Sequence, residues 1–244
     1  MNVMTRWDGN PKTNKNLEYG FLTASLALAP ARVAGGFDMC TRWTKGCLSS
    51  CLFHQGRGRM ERTKTARINR TLRFQDDPEN FINRELVPDI AALCRKAEQL
   101  DVAPAVRLNC LTDFPWEIYR RQLMDDFGHV QFYDYTKDEV RMAKFLEGEF
   151  PKNYDLTFSV SEQNLEWALT FLGLNQKVAL VTEQHFGSDN PLQRWYTFPT
   201  TDGDKHDLTF LHKGPKVLLL RPKGTASKDE TGFVHRETDE VRFT

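Results

Sequence analysis

The sequence predicts an α/β fold: a (β/α)6 open or partial barrel, TIM-barrel-like, with parallel strands and outer helices. Short β-rich runs alternate with longer helical patterns from residue 21 onwards, which is typical of parallel sheets with helical crossovers. The chain has 244 residues, 40% of them hydrophobic, and this is enough for one sizeable core. The predicted strands also alternate apolar and polar residues, so each is expected to have two different faces.

The predicted elements follow one another in a regular order. The first strand, FLTASLALAP, is ended by Pro30 and leads into a loop with three cysteines. Pro88 is expected to kink or divide the second helix, and Asp113 is a candidate cap for the third. The segment after the fifth strand reads as irregular. The strands are predicted at 21–30, 105–111, 130–136, 154–160, 177–183 and 216–224, and the helices at 61–74, 79–100, 113–127, 137–150 and 161–174.

These elements predict a single folded domain with polar ends. Residues 1–20 form a polar N-terminal arm, residues 21–224 form the partial-barrel domain with the cysteine loop 40–51 after strand one, and residues 225–244 form a C-terminal tail. The sequence has no signal peptide and no run of about 18 to 20 apolar residues that could span a membrane. We therefore expect a cytoplasmic protein with no membrane partner.

Charge gives little indication of a macromolecular partner. The 33 basic and 33 acidic side chains cancel, so no overall field attracts the protein to nucleic acid. A local basic segment lies between residues 57 and 70, but no stacking aromatic residues are interleaved with it. Nucleic acid is a possible partner that this pattern does not favour. Nothing in the sequence indicates the oligomeric state.

The polar face of the strands predicts a cavity. Successive strand residues point to opposite faces, and one face is polar while the other is apolar. Because parallel sheets are normally covered on both sides, we expect the polar face to line a cavity that holds water or a small-molecule ligand. Its predicted lining residues are Arg107, Asn109, Gln131, Tyr133, Thr157 and Ser159.

Reactive side chains gather at the carboxyl ends of the predicted strands, where α/β folds bind ligands. Glu162, Asp113 and Lys223 are the candidate acid, base or carboxylate-binding groups there. Arg57 and Arg59 flank the cysteine loop and are candidates for hydrogen bonds to a bound cofactor. The full set of predicted cofactor-binding or ligand-binding residues is Arg57, Arg59, Arg107, Asn109, Glu117, Tyr133 and Ser159.

The stretch CTRWTKGCLSSC places Cys40, Cys47 and Cys51 in one loop with C-x6-C-x3-C spacing. An odd total of five cysteines fits a disulfide framework poorly, and clustered cysteines in a reducing cytosol more often bind metal. Zinc held by these three and His54 is one alternative. A [4Fe-4S] cluster with three thiolate-bound irons is the other. The two further cysteines, Cys94 and Cys110, are expected in the core.

Several segments together resemble a known family. They are LTASLALAPARVAGG, CTRWTKGCLSSCLFHQGRGRM, RLNCLTDFPWE, TFSVSEQN and LLLRPKGTASKDETGFV, within residues 20–236. They are similar to phage and bacterial proteins of the gene product 88 type, for which the cytoplasm would be that of the host if the chain is phage-encoded. More distantly, a cysteine loop after the first barrel strand is similar to the layout of radical S-adenosylmethionine (SAM) enzymes. Those carry C-x3-C-x2-C and a glycine-rich segment after the second strand, where this chain has CLTDFPWE.

Three hypotheses follow for function. The first is an iron-sulfur protein whose [4Fe-4S] cluster lies over the polar cavity, with redox or radical-SAM-like chemistry on a small molecule and with SAM as a possible second cofactor. The alternative is a zinc-stabilised (Cys3His) protein without catalytic activity that binds a host or phage macromolecule. The third is a cluster with a structural or electron-transfer role and no substrate.

Overall fold

The computed structural model of the protein describes residues 3–5 and 15–236. The rest of the predicted N-terminal arm and the last eight residues of the predicted tail lie outside the described residues. The strands are β1 Met4–Thr5, β2 Phe21–Leu26, β3 Ala103–Arg107, β4 Gln131–Thr136, β5 Tyr154–Ser159, β6 Val178–Val181, β7 Arg194–Trp195, β8 Phe198–Asp202 and β9 Val217–Leu220.

These strands form one nine-stranded sheet with the order β1-β2-β3-β4-β5-β6-β9-β8-β7. Every pair from β2 through β6, β9 and β8 is parallel. The two outermost strands, β1 and β7, pair antiparallel. The prediction of an α/β fold with a mostly parallel sheet is confirmed, and the sheet is not a closed barrel.

Helices connect the parallel strands, as parallel pairing requires. Pro88 stands in the first turn of the helix Val87–Gln99, where its missing N–H is tolerated. The predicted helix 79–100 is divided just before Pro88, which is one of the two expectations for this proline: a π-helical turn, Phe81–Leu86, precedes the α-helix Val87–Gln99. The α-helices are α1 Lys45–Ser49, α2 Glu61–Asp76, α3 Pro78–Asn80, α4 Val87–Gln99, α5 Trp116–Tyr119, α6 Arg121–Asp126, α7 Glu139–Leu146 and α8 Leu165–Gly173, and the 3-10 helices are Lys15–Tyr19, Leu52–His54, Gly56–Arg59, Thr209–Leu211 and Gly224–Lys228.

One face of the sheet packs against the helices. Val106, Phe132 and Leu156 of the central strands are fully buried there. Ile90 and Leu93 of α4 belong to the same core. Apolar residues that recur every second position in a strand and every third or fourth in a helix produce this layer.

The opposite face is more polar and has only a small apolar cluster. Ala105 and Tyr133 pack there against Leu208 and Phe210. This cluster covers the polar face near the amino ends of the strands, and the carboxyl ends are left for a cavity. Within residues 3–5 and 15–236, no helix has the length and apolar character needed to cross a membrane.

The segment predicted to be irregular after the fifth strand contains two strands. β8 pairs in parallel with β9, and β7 folds back against β8 as a short hairpin. The sequence of β8, FPTTD, is only partly buried and has no apolar alternation. This edge of the sheet therefore could not be recognised from hydrophobic periodicity.

Candidate metal and ligand site

A cavity of about 240 Å³ lies at the carboxyl edge of the parallel strands. This is the edge at which α/β proteins bind ligands. Cys40, Cys47 and Cys51 all line it, as the sequence predicts. Its other wall residues include Arg42, Arg107, Asn109, Cys110, Asp113, Tyr135, Lys137, Ser159, Asp207, Arg221, Lys223 and Phe233.

Local hydrogen bonds fix the cysteine loop. Thr44 caps α1, because its hydroxyl oxygen accepts a hydrogen bond from the backbone N–H of Cys47. Cys40 forms an isolated parallel bridge with Asp113, and its sulfur lies 3.8 Å from the carbonyl oxygen of Leu111. The cysteine loop is thus attached to the loop that follows β3.

Glu162 attaches the cysteine loop to the end of β5. Its carboxylate accepts a hydrogen bond from the Thr44 hydroxyl at 2.8 Å and from the Gly46 N–H at 2.7 Å. Gly46 has no room for a side chain, since a Cβ there would lie 2.6 Å from Cβ of Phe233. Glu162 therefore positions the loop, and both of its oxygens are occupied by that task. Its predicted role as an acid or base stays a prediction.

The three loop thiols are half-buried, and all five cysteines are free. Burial raises the pKa of Cys40 to about 12, with further contributions from Asp113 and the other two thiols. Burial also raises the pKa of Cys51. No three His, Cys, Asp or Glu side chains are gathered tightly enough to hold a metal ion in the described part of the chain. Metal binding at this loop would therefore require the thiol side chains to turn towards one another.

His54, the predicted fourth zinc ligand, lies outside the cavity wall. It is exposed, and its ring packs edge-on against Phe53 with the centroids 5.0 Å apart. Arg57 and Arg59 are exposed as well. The structure does not bring either arginine to the cavity, so their predicted contacts with a cofactor stay predictions.

Cys110 lies on the cavity wall with the loop cysteines, whereas the sequence placed it in the core. The physical reason is that β3 ends at Arg107, so strand alternation no longer decides where Cys110 points. Burial lowers the pKa of the Arg67 guanidinium, and the nearby Cys110 and Cys51 thiols oppose that shift. Nη1 of Arg67 is buried and has no hydrogen-bond acceptor among the residues that the structure describes. Cys94, by contrast, packs against the core as predicted.

Asp113 and Glu117 are joined by Arg141 of α7. Nε and Nη2 of Arg141 donate to the two Glu117 oxygens at 2.8 and 2.7 Å, and Nη1 donates to Asp113. Asp113 also accepts from the Thr136 hydroxyl and the Lys137 N–H. Burial alone would lower the pKa of Arg141, but the two carboxylates help to raise it well above its usual value. This arrangement supports a structural role for both predicted site carboxylates.

Asn109 is 1% exposed and fully hydrogen-bonded. Its amide donates to the Phe114 carbonyl and to Asp134, and its side-chain oxygen accepts from Thr112 and the Phe114 N–H. These contacts fold the loop that follows β3 and hold Cys110 in place. Burial raises the pKa of Asp134 to about 7, although Arg107 and a hydrogen bond from Tyr154 oppose this shift.

Arg107 points into the interior of the polar face. Its Nη1 lies 3.3 Å from Oδ2 of Asp207, and its guanidinium stacks over Tyr135 at 4.6 Å. The Tyr133 hydroxyl donates to the same Asp207 carboxylate. Arg107 lines the cavity as predicted, whereas Tyr133 does not. Nε of Arg107 is buried and has no hydrogen-bond partner in residues 3–5 and 15–236.

Two lysines on the cavity wall have different partners. Lys137 donates from Nζ to the hydroxyl of Ser159 at 2.9 Å, and both residues line the cavity. Lys223 is 46% exposed and forms an ion pair of 3.1 Å with Asp204. The predicted residues Ser159 and Lys223 therefore lie at the cavity.

Several cavity residues were missing from the predicted site, among them Tyr135, Arg221 and Asp207. Tyr135 shares a strand face with Tyr133, so strand alternation could have identified it. Arg221 stands in the predicted strand 216–224, so its place near the carboxyl edge could also have been expected. Asp207 comes from a segment without a clear strand or helix pattern, and no signal in the sequence places it beside Arg107.

Comparison with known proteins gives a family and no further relative. The family model described as gene product 88 matches residues 3–237. The chain therefore belongs to the gene product 88 family, as its segments indicated. No curated protein and no solved structure matches it. The likeness to radical SAM enzymes stays a prediction.

Proposed function

We propose that this member of the gene product 88 family holds a [4Fe-4S] cluster on Cys40, Cys47 and Cys51, at the mouth of a partial (β/α)6 barrel. The cluster lies beside a cavity that takes a small molecule for redox or radical-SAM-like chemistry. One observation carries the proposal: three cysteines of one short loop line a single cavity at the carboxyl edge of a parallel sheet. Thiolates from one loop are the usual ligands of such clusters.

The strand order supports the partial barrel. β2, β3, β4, β5, β6 and β9 are parallel and adjacent in sequential order, so the chain winds in one direction. Helices then cover one face only, and the polar side chains of the other face are free to surround a cavity. A singly wound parallel sheet of this kind curves towards its uncovered face in barrel folds.

The surroundings of Arg67 support the presence of an anionic group among the cysteines. Its Nη1 is buried, has no acceptor in the described part of the chain, and belongs to a guanidinium near Cys51 and Cys110. A buried guanidinium N–H without an acceptor is unfavourable by about 1–3 kcal/mol or more. Thiolate sulfur or cluster sulfide at this place would accept that hydrogen bond, which is how surrounding residues stabilise and tune clusters.

The protein's own residues have separable tasks in this proposal. Glu162 and Thr44 hold the helix that carries Cys47, and Asn109 holds the loop that carries Cys110. Trp43 lies on the cavity wall and shields the site from water. The cluster itself supplies one-electron transfer when bound. SAM is the second cofactor that we propose to test, because three loop thiols leave one iron for another ligand.

Iron and sulfide analysis of protein purified without oxygen tests the proposal. We expect a brown protein with about four irons and four sulfides per chain. Cys40→Ser, Cys47→Ser and Cys51→Ser should each remove most of the iron. Cys94→Ser is the matched control, since Cys94 packs against the core, and it should retain the wild-type iron content. A colourless protein with one zinc per chain would contradict the cluster.

Two further variants identify the remaining ligand. His54→Ala should keep its iron, because His54 lies outside the cavity wall, whereas a Cys3His zinc site would lose affinity. Full iron content in Cys110→Ser would leave one iron open to a small molecule. Loss of iron in that variant would make Cys110 the fourth ligand. Binding of radiolabelled SAM to the reduced protein then decides whether SAM is a cofactor.

We also propose that the protein works in the cytoplasm, the host's own if a phage encodes it. Five free cysteines, three of them in one loop, are compatible with reducing surroundings. A fractionation experiment with a tagged chain would check this location.

A further inference from the structure

Most charged groups on the cavity wall have partners. Asp113 pairs with the buried Arg141. Asp207 pairs with Arg107, and Lys223 pairs with Asp204. Arg42 is bound by Glu139 at 2.9 Å. Each of these wall residues therefore has at least one partner of opposite charge, and Asp113 shares the Arg141 guanidinium with Glu117.

Two cations remain after these pairs are removed, Lys137 and Arg221. Both line the cavity. The Nζ of Lys137 donates to the uncharged hydroxyl of Ser159. Among residues 3–5 and 15–236, neither side chain forms an ion pair with a carboxylate. Of the charged side chains that line the cavity, five are basic and two are acidic, and Lys137 and Arg221 are the two cations that form no ion pair with a described carboxylate.

Arg221 also adjoins a second, mostly polar cavity lined by Lys15, His185 and Lys205. The absence of a side chain at Gly187 leaves room for its guanidinium, since a Cβ there would lie 2.6 Å from Nη2. Asp204 accepts a hydrogen bond from the backbone N–H of Arg221 at 2.7 Å, so it holds the main chain and leaves the guanidinium free to bind. Arg221 thus connects the two cavities.

Arg107 supplies a third donor, because one N–H of its guanidinium forms no hydrogen bond with the described residues. Asp207 pairs with Nη1 and the Tyr135 ring lies under the guanidinium, while Nε has no hydrogen-bond partner among the described residues. The nearest carboxylate oxygen, Oδ1 of Asp134, is 3.9 Å away, which is beyond hydrogen-bond distance. Donors that are placed in advance and lack acceptors are the usual means of binding oxyanions.

We propose that the cavity beside the cysteine loop binds a small molecule through an oxyanion group, a carboxylate or a phosphate, held by Lys137 and Arg221 with Arg107 at its side. The inference deepens the proposed function because it names the ligand class of the same cavity. A volume of about 240 Å³ is below the range of roughly 300–1,000 Å³ typical of drug-sized ligands, so the ligand is compact.

Calorimetric titration with two compact anions tests this inference. Pyrophosphate represents the phosphate class and citrate the carboxylate class, each at constant ionic strength. We expect saturable binding of one of them, and the better one identifies the class. Lys137→Gln and Arg221→Gln should each weaken that binding about tenfold or more, because each removes a charged hydrogen-bond donor. Gly187→Ala should also weaken it, since it displaces the Arg221 guanidinium.

Arg84→Gln is the matched control. It removes the same charge from an exposed site outside the cavity wall, and it should change the affinity less than about twofold. Equal losses in Arg84→Gln and Arg221→Gln would show attraction by overall charge and would overturn the inference. Failure of both anions to bind the wild-type protein would also overturn it.

Titrations of iron-loaded and iron-free protein separate this inference from the proposed function. Anion binding to a chain that takes up no iron would contradict the cluster and uphold the oxyanion site. Full iron loading with no anion binding would uphold the cluster and contradict the oxyanion site. Binding that occurs in the iron-free protein and disappears on iron loading would mean that the two cations compensate the cluster, and it would overturn the oxyanion site.

Discussion

Two groups of charged residues lie at the carboxyl edge of the same sheet, and they differ in whether they have partners of opposite charge. Arg141, Asp113 and Glu117 are buried and bind one another. Lys137 and Arg221 face the cavity and have no carboxylate partner among the described residues. A charge that is buried with its partner holds the fold together, whereas a charge that faces a cavity without one is available to a ligand.

This contrast bears on Asp113 and Glu117, which the sequence marked as site residues because they follow a predicted strand. Both carboxylates are occupied by Arg141, so proton transfer by either would first require a buried ion pair to open. Their contacts support a role in placing Lys137, whose backbone N–H donates to Asp113 at 2.8 Å. The buried ion pair of Asp113 and Arg141 thus helps to position Lys137, which faces the cavity.

The largest effect is expected from Arg141→Met. This substitution leaves two buried carboxylates without their cation, and the free energy of unfolding should fall by about 3–5 kcal/mol. Urea denaturation followed by circular dichroism measures the change. Glu79→Gln is a control, because the Glu79 side chain is 66% exposed in its pair with Arg120. It should change stability by no more than about 1 kcal/mol.

An intermediate effect is expected from Glu162→Ala. The Thr44 hydroxyl and the Gly46 N–H lose their acceptor, so the free energy of unfolding should fall by about 1–3 kcal/mol, and iron occupancy should fall with it. Glu162→Gln retains one acceptor oxygen and should lie between Glu162→Ala and the wild type. If both variants keep wild-type stability and iron content, Glu162 does not position the loop.

The smallest effect on stability is expected from Lys137→Gln and Arg221→Gln. Neither side chain belongs to a buried ion pair, so the free energy of unfolding should change by less than about 1 kcal/mol, although both variants should lose anion affinity. The same urea titration measures this change in the free energy of unfolding. A loss as large as that of Arg141→Met would remove the distinction between the two groups of charges.

The sequence was sufficient to predict the parallel core. The strands predicted from β-rich composition and apolar alternation all overlap observed strands, and VQFYDYT and YDLTFSV agree to within one residue at each end. Hydrophobic periodicity predicts these strands because one face of each is packed against helices. β8 lacks that packing and β1 is two residues long, so neither has a pattern to detect.

Part of the site was also predictable. The loop of Cys40, Cys47 and Cys51 had to follow the first parallel strand, and therefore had to reach the carboxyl edge. Cys110 was misplaced because strand alternation was extended three residues beyond Arg107, where β3 ends. The hydrogen bonds of Asn109, which redirect the chain there, depend on side-chain contacts that no periodicity describes.

Partners that are distant in sequence could not be predicted. Arg141 lies 28 residues after Asp113, and Asp207 lies 100 residues after Arg107. An ion pair of this kind depends on how elements pack, and a single sequence holds no signal for it. The structural role that we assign to Asp113 and Glu117 therefore depends on Arg141, which the sequence does not place beside them.

The contacts of the cysteine loop have a consequence for how the site is assembled during synthesis. Ser49 and Gln55 bind Thr225, and Gly46 is packed beneath Phe233. A ribosome therefore makes the loop of Cys40, Cys47 and Cys51 early, and Thr225 follows Ser49 by 176 residues. Until residues 225–233 emerge, the loop is open on one side, so the cluster that we propose could be inserted before this segment closes over it.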